Sequence, residues 1–478
     1  MFKALRRMAA YLLTFVMVLG MLTAGNPFVT VAQAATDPDG FTMINTAAEL
    51  DAMVRNNLSG KYRLGADIDL SQYAYTKSTW TAAKGWEGIG SSLAAGFSGT
   101  FDGNGYTIRG LWSKDRGSNQ GLFSWLNKAT VKNLNIELSS AGITGAGERK
   151  GALAGNAYYG TLIENCKAIG SVDGSPIEGS ANYIAGLVGV VYQSQVRSSS
   201  AVAINCSGYS YIAGFLGAAH GASIISDCNA MGSASSTGPY AGGFAGAIYE
   251  GSYVERSFAT GYVYGKGSYV GGFAAVLYGA KASSMFRCFA FGDVRSDICY
   301  AGGLLGDLYD GSSIEQCCAY GNVSAKAYCV GGLIGEVIKG TISNCYAQGN
   351  VSGTTGTGGL VGYFSGTGSL NNKSVYNSYS SGTVTGTGST EYGAFAGRAG
   401  VTFMGTNYYD TMKNAGLRAY GTSGSPNGSS SAFPQGEDTP TMMKQATFVG
   451  WDFDAIWGID ENETYPYFIW MPGVMGLR

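Results

Sequence analysis

Between Gly151 and Gly397 a five-residue phrase recurs nine times: GALAG, AGLVG, AGFLG, GGFAG, GGFAA, GGLLG, GGLIG, GGLVG and GAFAG. Its copies end at Gly155, Gly189, Gly217, Gly246, Ala275, Gly306, Gly335, Gly362 and Gly397, about 29 residues apart. A fixed period in this range means a stacked solenoid, because one repeat cannot bury its apolar face without neighbours. Collagen is excluded by 76 Gly set against only 9 Pro.

A second phrase follows the first: IENCKAIGSV from Ile163, ISDCNAMGSA from Ile225, IEQCCAYGNV from Ile314 and ISNCYAQGNV from Ile342. VERSFATGYV from Val254 and MFRCFAFGDV from Met285 keep its skeleton. Strand side chains alternate between two faces. One set of alternate positions is Cys/Ser, Ala, Gly, Val, and the other is as varied as Lys, Phe, Tyr, Gln and Asn, so only the first can be interior. That column is Cys166, Ser199, Cys228, Ser257, Cys288, Cys317, Cys345 and Ser378. Small residues there let one coil lie on the next at about 4.8 Å. The Gly that follows is expected to supply backbone angles that a Cβ forbids. Three short strands and three turns would return such a coil to register. The expected fold is therefore all-β, a right-handed parallel β-helix with caps over its open edges.

Residues 1–34 read as a signal peptide. Lys3, Arg6 and Arg7 precede an apolar run from Leu12 to Leu22, and Ala32-Gln33-Ala34 offers a cleavage site. Its removal takes away three cations and no acid, deepening a net charge already at −2, which disfavours nucleic acid as a partner. Residues 35–95 read as an N-terminal cap, in which Thr46 and Glu49 form a capping box ahead of Leu50, Met53, Val54 and Leu58. Residues 96–405 form the coils, with a tight turn from Asp102 to Gly105. Residues 406–478 read as a C-terminal cap: a flexible GTSGSPNGSSS loop at 421–431, a helix with Thr439 as N-cap and Pro440 as first residue, and an aromatic ending, GWDFDAIWGIDENETYPYF, to seal the last coil. No stretch of the mature chain is long and apolar enough to span a membrane. The sequence closes at Arg478 without an LPxTG sorting signal, so release, noncovalent association with the cell wall, or continuation in a longer gene product of which this is the front part is expected.

These repeats resemble the GLUG repeats of secreted bacterial surface proteins, over about Gly121 to Gly397. FSGTFDGNGYTI and the WDFDAIWGI…YPYF ending resemble the segments that flank such arrays. The resemblance implies a β-helical extracellular region of adhesin-like and filamentous-haemagglutinin-like proteins, including the non-catalytic part of some immunoglobulin A peptidases. It brings no catalytic site. Those peptidases carry an HExxH zinc helix, whereas the single histidine here is His220, followed by Gly221 and Ala222. No cofactor or metal is expected.

The remaining candidates are surfaces. Phe258, Phe289, Tyr346 and Tyr379, with Cys318 among them, line the outward side of the Cys/Ser strand and form a candidate binding face for glycans or extracellular proteins. A second column, Tyr183, Tyr211, Tyr240, Tyr269 and Tyr300, precedes the Gly phrase; its rings either bind a partner or stack on one another. Nine cysteines leave at least one unpaired, and the column reads as buried free thiols, with Cys299 and Cys329 the best disulfide candidates. Asp67, Asp69 and Asp102 could serve Ca²⁺ or glycosidic cleavage, but read as turn residues. Within the array no carboxylate pair recurs at a defined column, and the phrase itself holds no acid, base or nucleophile. The expectation is a non-enzymatic surface protein, with a carbohydrate-active enzyme and a structural spacer as alternatives.

Overall fold

One turn of the chain, from Ile224 to Tyr249, sets the architecture. Strands Ile224–Ser226, Asn229–Met231, Ala234–Ser236, Tyr240–Gly242 and Ala245–Tyr249 each pair in parallel with the strand 29 residues further on: Ile225 with Val254, Ala230 with Ala259, Ala234 with Val263, Ala241 with Val270, Ala247 with Val276. The computed structural model describes residues 36–71, 84–171, 175–364, 373–387, 391–398, 402–404, 406–421 and 433–471. Among them the chain is a parallel β-solenoid with about 29 residues per coil. One long sheet holds 13 strands, running from Thr42–Ile44 to Thr402–Met404. The expected leader and nearly all of the 421–431 loop lie outside the described residues. Strands Thr42–Ile44 and Lys61–Leu64 already belong to the long sheet, so regular stacking begins well before residue 96.

The coil thus carries five short strands rather than the expected three, because the backbone turns at positions the residue pattern did not flag. Immediately before the Cys/Ser column stand Asn165, Ser198, Asp227, Arg256, Arg287, Gln316, Asn344 and Asn377, all with φ between 42° and 55°. Left-handed backbone is unfavourable for residues with a Cβ, although Asn and Asp tolerate it best. The Gly four residues beyond the Cys/Ser position has a different reason from the one expected. It does not adopt positive φ; a Cβ on Gly261, Gly292 or Gly349 would lie 1.9 Å from the carbonyl oxygen of the equivalent Gly one coil earlier. Close stacking, not turn geometry, demands it.

The five-residue phrase follows the same rule. A Cβ on Gly303 would meet the Gly332 oxygen at 2.1 Å, and one on Gly302 would meet the Leu305 oxygen at 1.9 Å and the Gly335 nitrogen at 2.7 Å. Between these glycines, Leu304 and Leu305 point into the core, where Phe215, Phe244 and Phe273 of other copies stack at 4.7 and 4.5 Å. Each phrase is therefore a bend whose backbones touch, followed by two core-filling residues.

The Cys/Ser column is buried throughout. It supplies more than small size. The Ser199 hydroxyl accepts from the Cys166 amide at 3.0 Å, Ser257 from Cys228 at 3.1 Å, Ser378 from Cys345 at 3.0 Å, and Asn407 Oδ1 from Ser378 at 3.0 Å. A second ladder, Ser194, Ser223, Ser252, Ser283 and Ser312, does the same for another turn, with Ser194 to Ser223 at 3.3 Å and Ser283 to Ser312 at 3.2 Å. Turn amides that no strand partner can reach are satisfied coil by coil, as buried N–H groups must be.

At the N-terminal end the capping box forms as expected: Glu49 N donates to Thr46 Oγ1, Thr46 N donates to the Glu49 carboxylate, and helix Ala47–Asn56 buries Leu50 and Val54. At the other end the helix is Thr439–Met442, and its N-cap is Asp438, not Thr439. Asp438 Oδ1 accepts from Thr441 N at 2.8 Å, while the Thr439 hydroxyl donates to buried Asp410 at 2.6 Å.

Candidate functional site

The row Phe258, Phe289, Cys318, Tyr346, Tyr379 and Tyr408 runs in register along the outer side of its sheet. Phe258 and Phe289 stack at 5.0 Å, Tyr346 and Tyr379 at 5.1 Å. It is not an open face. Tyr346 and Tyr379 have no exposed surface and Phe289 only 3%, because the aromatic ending lies along them as well as on Tyr408. Trp470 reaches Phe289, Phe468 and Trp457 reach Tyr346, and Trp451 and Tyr465 reach Tyr379. Of the four residues expected to bind, only Phe258 keeps partial exposure. The ligand of this face is the chain's own C-terminal segment.

His220 belongs to another column. Its ring sits between Tyr192 at 4.6 Å and Tyr249 at 4.8 Å, parallel to the latter within 7°, in a series that continues to Tyr158 and Tyr278. Burial there pushes its pKa below the ordinary histidine value, against the pull of Glu250 at 3.4 Å. Its ring is a stacking member, and the Ser223 hydroxyl donates to its backbone carbonyl at 2.7 Å rather than to the ring.

The expected tyrosine column also stacks on itself. Tyr183, Tyr211, Tyr240, Tyr269 and Tyr300 follow one another at 4.6, 4.6, 5.2 and 4.9 Å with nearly parallel rings. Each interior ring face is covered by the next ring. The series breaks at Tyr300, where Tyr328 stands edge-on at 83° and 5.7 Å and is itself 45% exposed. One face of Tyr300 is left uncovered by a parallel ring, and here a cavity of about 250 Å³ opens, lined by Tyr300, Tyr328, Tyr363, Glu336, Glu391 and Arg398 among others.

Beside this column runs the residue that follows the second to ninth copies of the phrase: Val190, Ala218, Ala247, Val276, Asp307, Glu336, Tyr363 and Arg398, all in register. The first four are buried yet stand outside the core cluster, under the tyrosines. Asp307 and Glu336 are thus a carboxylate pair at one column in adjacent coils, 7% and 6% exposed, a pair that occurs once and does not recur along the column. Reading one residue past each phrase would have found it. Asp307 Oδ1 is buried without a hydrogen-bond partner. Burial first, and Glu336 second, hold its carboxyl well above the usual carboxylate range. Arg398 lies 3.9 Å from Glu391 and over the Tyr363 ring at 5.0 Å.

The other sequence candidates have structural partners. Asp102 meets Arg63 at 3.3 Å and Lys132 at 3.8 Å; Asp67 meets Arg109 at 2.6 Å; Asp69 accepts from Ser71 N at 2.8 Å. No cluster of three or more His, Cys, Asp or Glu that could hold a metal occurs among the described residues. All nine cysteines, Cys299 and Cys329 included, are buried free thiols, and burial pushes Cys166 and Cys228 up to about 12. No helix among the described residues is long and apolar enough to cross a membrane.

Comparison with known proteins places the repeat. Residues 326–352 match the GLUG motif. Halomucin from Haloquadratum walsbyi is 34% identical over 191 residues, 38% of this chain and 2% of its own length. A Gly-rich membrane protein from Evansella cellulosilytica is 38% identical over 120 residues, 24% of this chain and 13% of its own. The chain therefore spans only a small part of either relative. A crystal structure from Bacteroides ovatus, described as a candidate immunoglobulin A1 protease, aligns over 91% of this chain and 94% of its own at 15% identity and a TM-score of 0.38, too distant to carry an argument. Residues 326–352 thus carry the GLUG motif, and the same phrases recur in register through the solenoid.

Proposed function

We propose that the chain is an exported surface protein whose solenoid displays a binding site for extracellular glycans. The observation that carries this reading is the break in the tyrosine column. The parallel stacking of the column ends at Tyr300, which together with the edge-on Tyr328, Tyr363 and ionisable side chains lines a cavity of about 250 Å³. An apolar ring face with a few convergent polar groups is the usual make-up of a small-ligand site. Many such coils held at fixed spacing make a rigid post that carries the site away from its point of attachment. Export, and association with a cell wall, rest on the leader at residues 1–34 and on the repeat family.

Two measurements test this. Fractionating a culture into medium, wall and cytoplasm should find the protein outside the cell. Glycan-array binding by the mature chain should be saturable and should fall at least tenfold in Tyr300→Ala; a cytoplasmic protein, or an array without signal, would contradict the reading.

A second reading, a polysaccharide-cleaving enzyme, is favoured by one observation: Asp307 and Glu336 lie one strand apart on the same side of the sheet. Glycosidases use paired carboxyls, and these two stand on neighbouring strands about 4.8 Å apart at the backbone. Release of reducing ends from bound polysaccharide, abolished in Glu336→Gln, would establish it; binding without turnover would remove it.

A further inference from the structure

Beyond Tyr300 two successive coils lack the ring of the tyrosine column. Parallel pairing sets Ala301 against Val330 and Val330 against Thr357, so the positions equivalent to Tyr300 are Cys329 and then Gly356. The backbone agrees: Tyr183, Tyr211, Tyr300, Cys329 and Gly356 all have φ between 52° and 61°. One coil further the position belongs to Glu391, because Thr357 pairs with Tyr392. Two rungs of a ladder whose rings follow one another at 4.6 to 5.2 Å therefore carry no ring. Both ringless residues, Cys329 and Gly356, line the cavity of about 250 Å³ together with Tyr300, Tyr328 and Tyr363. A Cβ added to Gly356 would come no nearer than 3.4 Å to any other residue, so the space above it is open.

Such a gap selects by shape. The ladder is built from flat bodies with apolar faces, and a body of that form continues it best. Tyr328 stands edge-on to Tyr300 at 83° and walls the gap without continuing the stack. A pyranose with every substituent equatorial has the required form, since both its faces carry only C–H bonds, which suit the negative face of an aromatic ring. An axial hydroxyl would lift the sugar from the tyrosine and be stripped of water against it. Hydroxyls around the sugar's edge need polar partners, and Glu336, Glu391 and Arg398 of the same lining offer acceptors and donors. Two carboxylates against one guanidinium disfavour an acidic sugar.

We propose that the two ringless rungs take one neutral, all-equatorial pyranose unit of a glycan, of the glucose type, stacked in line with the tyrosine column. The proposal rests on the glycan-display reading and names the sugar class.

Isothermal titration of the mature chain tests this with three probes: cello-oligosaccharides, manno-oligosaccharides, whose units each carry an axial hydroxyl, and p-nitrophenol as a flat aromatic. Cello-oligosaccharides should bind at least tenfold more tightly than either other probe. Cys329 shares the backbone conformation of Tyr183 and Tyr211, so Cys329→Tyr should restore the missing ring. That variant should weaken cello-oligosaccharide binding tenfold or more without a lower melting temperature, while Cys329→Ser, which leaves the rung ringless, should bind as wild type. The sugar series on the unchanged chain decides whatever the stability of the variants. Equal affinity for the two sugar series, preference for p-nitrophenol, or full binding by folded Cys329→Tyr would overturn the proposal. Equal binding of both sugar series that is lost in Tyr300→Ala would remove this inference and leave the display reading standing, whereas binding of no glycan at all would remove both.

Discussion

Tyr379 donates its hydroxyl proton to the Pro466 carbonyl at 2.6 Å, joining the outer face of the array to a segment 87 residues later in the chain. The same segment buries Trp457, which packs against Trp451 at 4.5 Å and Phe468 at 4.8 Å. Tyr379→Phe removes two hydrogen bonds, that to Pro466 and the one accepted from Gln348 Nε2 at 2.8 Å, and leaves the ring in place, a loss of about 1–2 kcal/mol. Trp457→Ala leaves a cavity between aromatic neighbours and should cost about 3–5 kcal/mol. Denaturant unfolding of the two variants checks this order; an equal and small effect would mean that the segment does not hold the row.

The hydroxyl ladder gives a second expectation. Ser257 accepts the Cys228 amide at 3.1 Å and its own hydroxyl donates to the Glu255 carbonyl at 2.8 Å. Ser257→Ala strands that amide inside the solenoid, at a cost of about 1–3 kcal/mol. Ser257→Cys should lie closer to wild type, since Cys317 Sγ already accepts from Cys288 N at 3.5 Å in another pair of coils. Thermal melts of the two variants decide the matter.

Such details mark where the sequence was readable. Period, interior column and N-terminal capping box all follow from spacing and residue size, so the solenoid and its core were legible before any coordinates. The number of strands per coil was not, because Arg256, Arg287 and Gln316 take left-handed backbone that their side chains do not advertise. Nor was the fate of Tyr346 and Tyr379, since alternation shows that a residue faces outward and is silent about what later lies over it. Asp307 and Glu336 could have been found, because both directly follow a phrase-ending Gly.

The buried acid predicts a pH dependence. Asp307 is raised by burial, then by Glu336 and Asp310, and it also acts on Tyr240, Tyr269 and Cys329 around it. A raised acid holds its proton more tightly folded than unfolded. Its stabilising contribution is complete below the unfolded value of about 3.9 and is lost as pH rises through the higher folded value. Asn cannot ionise, so Asp307→Asn should match wild type near pH 4 and melt at higher temperature near about pH 7.5, by the equivalent of about 1–3 kcal/mol. A constant difference across that range would show that Asp307 does not titrate as described.

Thiol chemistry follows from burial. All nine cysteines are buried, and those of the Sγ ladder donate to backbone carbonyls, as Cys228 does to Ser226 at 3.1 Å. The folded protein should resist alkylation, and the denatured, unreduced protein should show nine thiols. Fewer than three would contradict the ladder of free thiols.

The central claim is that binding occurs where the tyrosine column breaks and not on the aromatic row under the C-terminal segment. Glycan binding compared between Tyr300→Ala and Phe258→Ser, with both variants shown folded, tests it most directly. The account predicts at least a tenfold loss for Tyr300→Ala and wild-type binding for Phe258→Ser; loss in Phe258→Ser with Tyr300→Ala unaffected would contradict it.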